Sequence, residues 1–135
     1  IIHSREAFGE TIDILKQHGK GIQKVVFHCF GGDAEQAKML LDEGYHISFT
    51  GVITFKNAEN ARQAAAVVPI DRLMLETDCP YMSPEPMRKQ KINEPALMVH
   101  TARYLAQLKQ MDFNVFATAV TATSREFFNL PASQS

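Results

Sequence analysis

An α/β fold with a parallel sheet is the class this sequence predicts, and three observations predict it. Short apolar runs alternate with segments of helical spacing. Successive runs are separated by roughly 20–27 residues, room for one crossover helix each. The polar residues of each run gather at its carboxyl end, where parallel strands deliver side chains to a site. Two architectures share this grammar, the (β/α)8 barrel and the open doubly wound sheet.

The elements follow in order. "IIH" (1–3) reads as the tail of a strand, so the chain opens in mid-strand and reads as a fragment. Residues 5–18 form a helix with Phe8, Ile12 and Leu15 on one face and Gly19 at its end. "KVVFHCF" (24–30) is a strand, rich in β-branched and aromatic residues. Asp33 and Gln36 make a capping box for a helix over 34–43, closed by Gly44. "YHISFTG" (45–51) is the next strand, and Asn57 caps a helix over 58–67 that stops before Pro69. "RLMLETD" (72–78) is the last strand. A proline-dense loop follows it, and Pro95 opens a helix over 96–109. Two shorter helices end the chain, the last announced by Thr123 and Glu126 as a Ser/Thr-x-x-Glu box.

The totals fit one domain spanning 1–135. Hydrophobic residues make up 45% and charged residues 21% of the 135, enough for a core. A net charge of −1 excludes a basic nucleic-acid footprint over the whole surface, though not a local one. Cys29 and Cys79 are too few for a disulfide framework, and reduced thiols point to a cytoplasmic protein. No apolar run reaches membrane-span length, so no membrane partner is expected.

The polar strand ends carry the chemistry. They are His3, His28, Ser48 with Thr50, and Glu76 with Asp78. Side chains alternate along a strand, so Met74, Glu76 and Asp78 share one face and Leu73, Leu75 and Thr77 the other. Val26 and His28 likewise share a face, opposite Phe27 and Cys29. Two imidazoles and two carboxylates on neighbouring strand tips suit a divalent cation. Two acids so close otherwise repel, and one tends to take a proton; a cation keeps both charged. A single strand histidine is more often a hydrogen-bonded core residue, and "ETD" alone reads equally as a capping loop. Convergence of independent strands favours the metal. His18, His46 and His100 lie away from the tips and read as structural or solvated; Cys29 and Cys79 read as small buried fillers.

Five ordered stretches extend this reading: "IIHSREA" (1–7), "HCFGG" (28–32), "GYHISFTGVITFKN" (44–57), "RLMLETDCPYMSP" (72–84) and "NEPA" (93–96). Together they resemble the TatD family of metal-dependent deoxyribonucleases, amidohydrolase-like metallohydrolases built on (β/α)8 barrels. The resemblance implies that His3 and His28 ligate one of two metals. It implies that Asp78 binds the other and orients or deprotonates the attacking water. Glu76 falls on the family's acid beside that aspartate, as a catalytic residue or as a partner for buried polar groups. Arg5 and Asn93 fall where substrate phosphate is touched or the mouth of the site is shaped. The cofactors implied are two divalent cations per complete site, Mg²⁺ by preference, with Zn²⁺ or Mn²⁺ acceptable to the imidazoles.

Departures accompany the match. The family's amino-terminal His-x-His pair and bridging glutamate are absent. A (β/α)8 barrel takes about 250 residues, so this chain holds about four strands. By their order they read as the last four, a carboxyl-terminal half barrel with extra helices. Gly31 replaces a common Ser, "MRKQKINEP" (87–95) replaces a tighter Arg-Gly-Lys-type segment, and Thr123 stands where Asn usually caps the last helix. Arg88, Lys89 and Lys91 are candidates for the phosphate backbone, or else a solvated charge run. Three functional readings stay open. One is half of a deoxyribonuclease, with DNA as substrate of the complete enzyme and the isolated chain nearly inactive. Another is a related metallohydrolase with a non-nucleic substrate. The last is a non-catalytic half barrel whose open edges and apolar inner face require the missing half or a second copy.

Overall fold

The computed structural model describes residues 1–131 of the chain. Four parallel strands form one sheet in sequential order: β1 (Ile2–His3), β2 (Val26–His28), β3 (His46–Phe49) and β4 (Leu73–Leu75). Between them run α1 (Phe8–His18), α2 (Ala34–Asp42) and α3 (Glu59–Val67), and α4 (Met98–Leu108) and α5 (Phe113–Phe127) follow. Sequential order decides between the two architectures. A doubly wound sheet reverses its strand order at a switch point; this sheet does not among the described residues. One core joins Phe27, Ile47, Phe49 and Leu73 of the strands to Ile12, Leu40, Ala64, Leu105 and Phe116 of all five helices. All five helices therefore pack against one face, as around barrel staves, and only the end of α5 reaches the other.

Register follows the alternation. Ile2 pairs with Phe27, Phe27 with Ile47, and Ile47 with Leu73, which places the large apolar side chains side by side towards the helices. The opposite face carries Val26, His28, Met74 and Glu76. Its lower part is not the open apolar surface expected: Phe127, at the end of α5, packs onto Val26 and Met74 and buries both.

The local signals fared unevenly. Asp33 accepts from the Gln36 amide and Gln36 returns the bond to the Asp33 N–H, the expected box. Gly44 follows α2 with φ +77°, a left-handed turn that suits glycine. Pro95 opens a short 3₁₀ turn, Pro95–Leu97, that runs into α4. Asn57 does not cap α3; the cap position is Ala58, and no side chain closes it. The two short helices expected at the end are one helix, α5. Its cap is Asp112, whose carboxylate accepts from the amides of Asn114 and Val115. Thr123 lies inside that helix and donates to the carbonyls of Ala119 and Ile70. A four-residue motif yields to a continuous buried face of Phe116, Val120, Thr123 and Phe127.

Candidate metal centre at the strand tips

His3 ends β1 and stands in register beside His28, which ends β2; their rings lie 5.9 Å apart between centroids. β4 formally ends at Leu75, but the Glu76 amide still bonds the Phe49 carbonyl, so the backbone continues alongside β3. That extension keeps Glu76 and Asp78 on the side of His28. Glu76 Oε2 lies 2.5 Å from His28 Nδ1, and Glu76 Oε1 accepts from the Cys29 amide at 2.8 Å. Asp78 Oδ1 lies 4.0 Å from His28 Nε2. The imidazole thus sits between the two acids, one on each ring nitrogen.

Against an ionised carboxylate, which only accepts, Nδ1 is the donor; in the neutral ring Nε2 is then the lone-pair nitrogen, 4.0 Å from Asp78 Oδ1. A carboxylate behind a histidine is the usual orientation device for a metal ligand. The donor set also passes a distance test. Two ligands on one cation, each about 2.0–2.2 Å from it, lie at most about 4.4 Å apart, and the 4.0 Å between Nε2 and Oδ1 is within that bound. The residues fit a divalent cation but do not complete its shell. Among the described residues no three His, Cys, Asp or Glu side chains are gathered closely enough to hold a metal.

These tips open into a cleft of about 740 Å³, lined by His3, His28 and Asp78 together with Arg5, Phe8 and Met82. The volume lies in the range of small-ligand sites. Its backbone is unusual. Five described non-glycine residues have left-handed φ. Gln110 and Asn129 follow the ends of α4 and α5, where such a turn terminates a helix. The other three, Glu6 (φ 56°), Cys29 (φ 48°) and Met82 (φ 58°), all line the cleft, one from the loop after each of β1, β2 and β4. A side chain held in a sparse region costs about 1–3 kcal/mol. Strain of that kind gathers at functional sites.

The remaining candidates separate. Arg5 lines the cleft. Asn93 does not: it is 3% exposed, its side-chain amide donates to the Tyr81 carbonyl at 2.7 Å, and its N–H donates to Pro80. It holds the loop after Asp78 closed. Cys29 is not a filler on the far face, because the left-handed turn brings it to the cleft wall. Burial pushes its thiol up, opposed by the hydrogen bond it shares with Thr50 and reinforced by the charges of Asp78 and Glu76. That direction disfavours the thiolate, the form that acts as nucleophile. Cys79 is half-buried. His46 packs edge-on against Phe127 at 4.8 Å, away from the tips, and Arg88 stacks on Phe55 at 3.8 Å. Glu6, Phe8 and Met82 were not anticipated from sequence. Only their place one loop beyond a polar strand tip could have drawn attention to them.

Residues 1–129 match the family described as TatD related DNase. A protein of Buchnera aphidicola subsp. Baizongia pistaciae, called an uncharacterized metal-dependent hydrolase, is 42% identical over 132 residues, 98% of this chain and 49% of the relative. The Escherichia coli K12 protein YcfH, which bears the same description, is 42% identical over 134 residues, 99% of this chain and 50% of the relative. The crystal structure of the TatD homologue YJJV from Escherichia coli K12 has a TM-score of 0.86 at 29% identity, covering 96% of this chain and 49% of that one. A TatD family hydrolase from Entamoeba histolytica, at 24% identity and a TM-score of 0.85, shares the fold; the match covers 96% of this chain and 50% of that one. The chain spans about half the length of the curated relatives it matches. On a match that runs through nearly all of its residues, it belongs to the TatD family.

Proposed function

We propose that this chain is the carboxyl-terminal half barrel of a metal-dependent hydrolase that cleaves phosphodiester bonds in DNA. One observation carries the metal reading: His28 is oriented by Glu76 through Nδ1 and meets Asp78 across 4.0 Å through Nε2. The half-barrel reading rests on four sequential strands with helices on one face, and on relatives twice as long. The nuclease reading rests on the family's description.

His28 Nε2 and Asp78 Oδ1 would hold a divalent cation, and His3 stands beside them as the next donor. A bound cation of this class lowers the pKa of water and neutralises charge on a phosphoryl oxygen; Mg²⁺ is the first choice, and two cations would serve a complete site. Glu76 holds the His28 ring and the Cys29 amide in place, so it positions a ligand without reaching the reacting atoms. Asp78 is the carboxylate left to take a proton from an attacking water. Arg5, on the cleft wall, supplies a fixed positive charge to a phosphate. The shell is completed from outside this chain, by an amino-terminal half or a second copy.

A substrate panel tests this. With added Mg²⁺, Mn²⁺ or Zn²⁺, the isolated chain is expected to cleave a fluorogenic oligodeoxynucleotide weakly, and Asp78→Asn to abolish that cleavage. Turnover confined to amide or lactone substrates would overturn the nuclease assignment. Full turnover by a species that sediments as a monomer would overturn the incomplete site.

A further inference from the structure

The loop after Asp78 carries two large apolar side chains in water for no packing reason. Tyr81 is 69% exposed and Ile92 67%, yet the loop beneath them is built like a core. Ser83, Pro84 and Asn93 are buried within it. The Tyr81 N–H bonds the Asp78 carbonyl at 2.8 Å, and Asn93 bonds the carbonyls of Pro80 and Tyr81. Ser83 Oγ donates to Gln90 at 2.9 Å, so the two arms of the loop lie side by side. The Glu85 amide donates to Thr54 Oγ1 at 2.9 Å, tying the loop to the turn after β3. There the loop passes so close that a Cβ on Gly51 would stand 2.6 Å from the Met82 carbonyl.

This is a rigid platform with an aromatic ring on its outer side, one turn from Asp78, and Met82, the next residue, lines the cleft. The same loop carries Arg88, Lys89 and Lys91. Arg88 is occupied on the Phe55 ring. Lys89 and Lys91 are exposed and, among the described residues, stand in no ion pair. Exposed ring, fixed backbone and free cations on the loop that follows Asp78 match one ligand chemistry, that of a nucleotide. Bases stack on aromatic faces, while cations follow the phosphates.

We infer that Tyr81 is the stacking platform for the base next to the phosphate that enters the cleft at Arg5, His28 and Asp78, with Lys89 and Lys91 on the neighbouring phosphates. The inference rests on the nuclease reading and adds a subsite to it. Asn93 acts through this loop as a positioning residue. Its buried Oδ1 has no partner in the structure, and its side-chain amide donates to the Tyr81 backbone carbonyl.

Fluorescence anisotropy of a labelled oligodeoxynucleotide with the intact chain tests the inference, and it requires no catalysis. Tyr81→Ala is expected to weaken binding about tenfold, as removal of one base stack does, and Tyr81→Phe to bind like the parent. Against an oligonucleotide made wholly of abasic units, Tyr81→Ala and the parent are expected to bind alike. Replacing Lys89 and Lys91 together by Ala is expected to reduce the salt slope by about 1.4, two single-strand phosphate contacts. Because Tyr81 is exposed, thermal melting of Tyr81→Ala is expected to match the parent. If the parent binds and Tyr81→Ala binds equally well, the platform is overturned and the nuclease reading stands. Equal loss on abasic and normal strands marks Tyr81 as structural and also overturns it. Absence of binding to any oligonucleotide at low salt overturns both.

Discussion

At the scale of single residues, the pair of acids at the end of β4 has two different tasks. Asp78 faces the free nitrogen of His28, and Glu76 faces the other nitrogen and the Cys29 amide. A carboxylate can accept on both oxygens at once, whereas an amide offers only one acceptor. Glu76→Gln therefore either turns its NH₂ to Nδ1 and shifts the ring proton to Nε2, or leaves the His28 Nδ1–H or the Cys29 N–H without its partner. In a half-buried position that costs about 1 kcal/mol, read as a lower urea midpoint. The ring ¹⁵N resonances of His28 should then change from a single Nδ1–H tautomer to a mixture; an unchanged tautomer would contradict the positioning role. The four polar tips were legible because strand alternation has a period of two, and that period survives any fold the strands enter. The left-handed Glu6, Cys29 and Met82 were not, since none of these residue types prefers that conformation. Tertiary contacts impose it.

Elements are held at a second level, where β3 meets the end of α5. His46 opens β3, with its ring edge-on to Phe127 and its Nδ1 buried without a partner. Burial, and next the charge of Arg72, hold its pKa below the ordinary histidine value; Lys24 adds to this, and Asp71 and Glu126 oppose it. At mildly acidic pH the unfolded chain then binds more protons than the native one, so stability rises with pH. The contribution is complete above the unfolded pKa of about 6.5 and declines as pH falls through it towards the depressed native value. Urea midpoints between about pH 7 and pH 5 should fall more steeply for the parent than for His46→Phe. Equal slopes would show that His46 does not link pH to this junction. The junction also shows what the sequence concealed. Asp112 was available as a cap, but the Thr123–Glu126 spacing imitated a helix start and divided one helix into two. Local motifs report what a segment can do alone; the buried stripe from Phe116 to Phe127 decided otherwise.

At the scale of the whole molecule, the strand order, the face packed by all five helices and the candidate site at the carboxyl ends all follow from one pattern of apolar runs and crossover helices. That pattern was legible throughout. Strand lengths were not, because the ladder stops wherever a tip turns into its loop, as at Cys29. The central claim is that the tips of β1, β2 and β4 converge on a divalent cation, even with a shell this chain leaves incomplete. Weak binding of that kind is read most directly by adding substoichiometric Mn²⁺ to the ¹⁵N,¹³C-labelled chain and following paramagnetic broadening. His3, His28 and Asp78 should broaden first, and Asp78→Ala should protect the two histidines. Broadening scattered over surface carboxylates, or unchanged by Asp78→Ala, would contradict a metal centre at these tips.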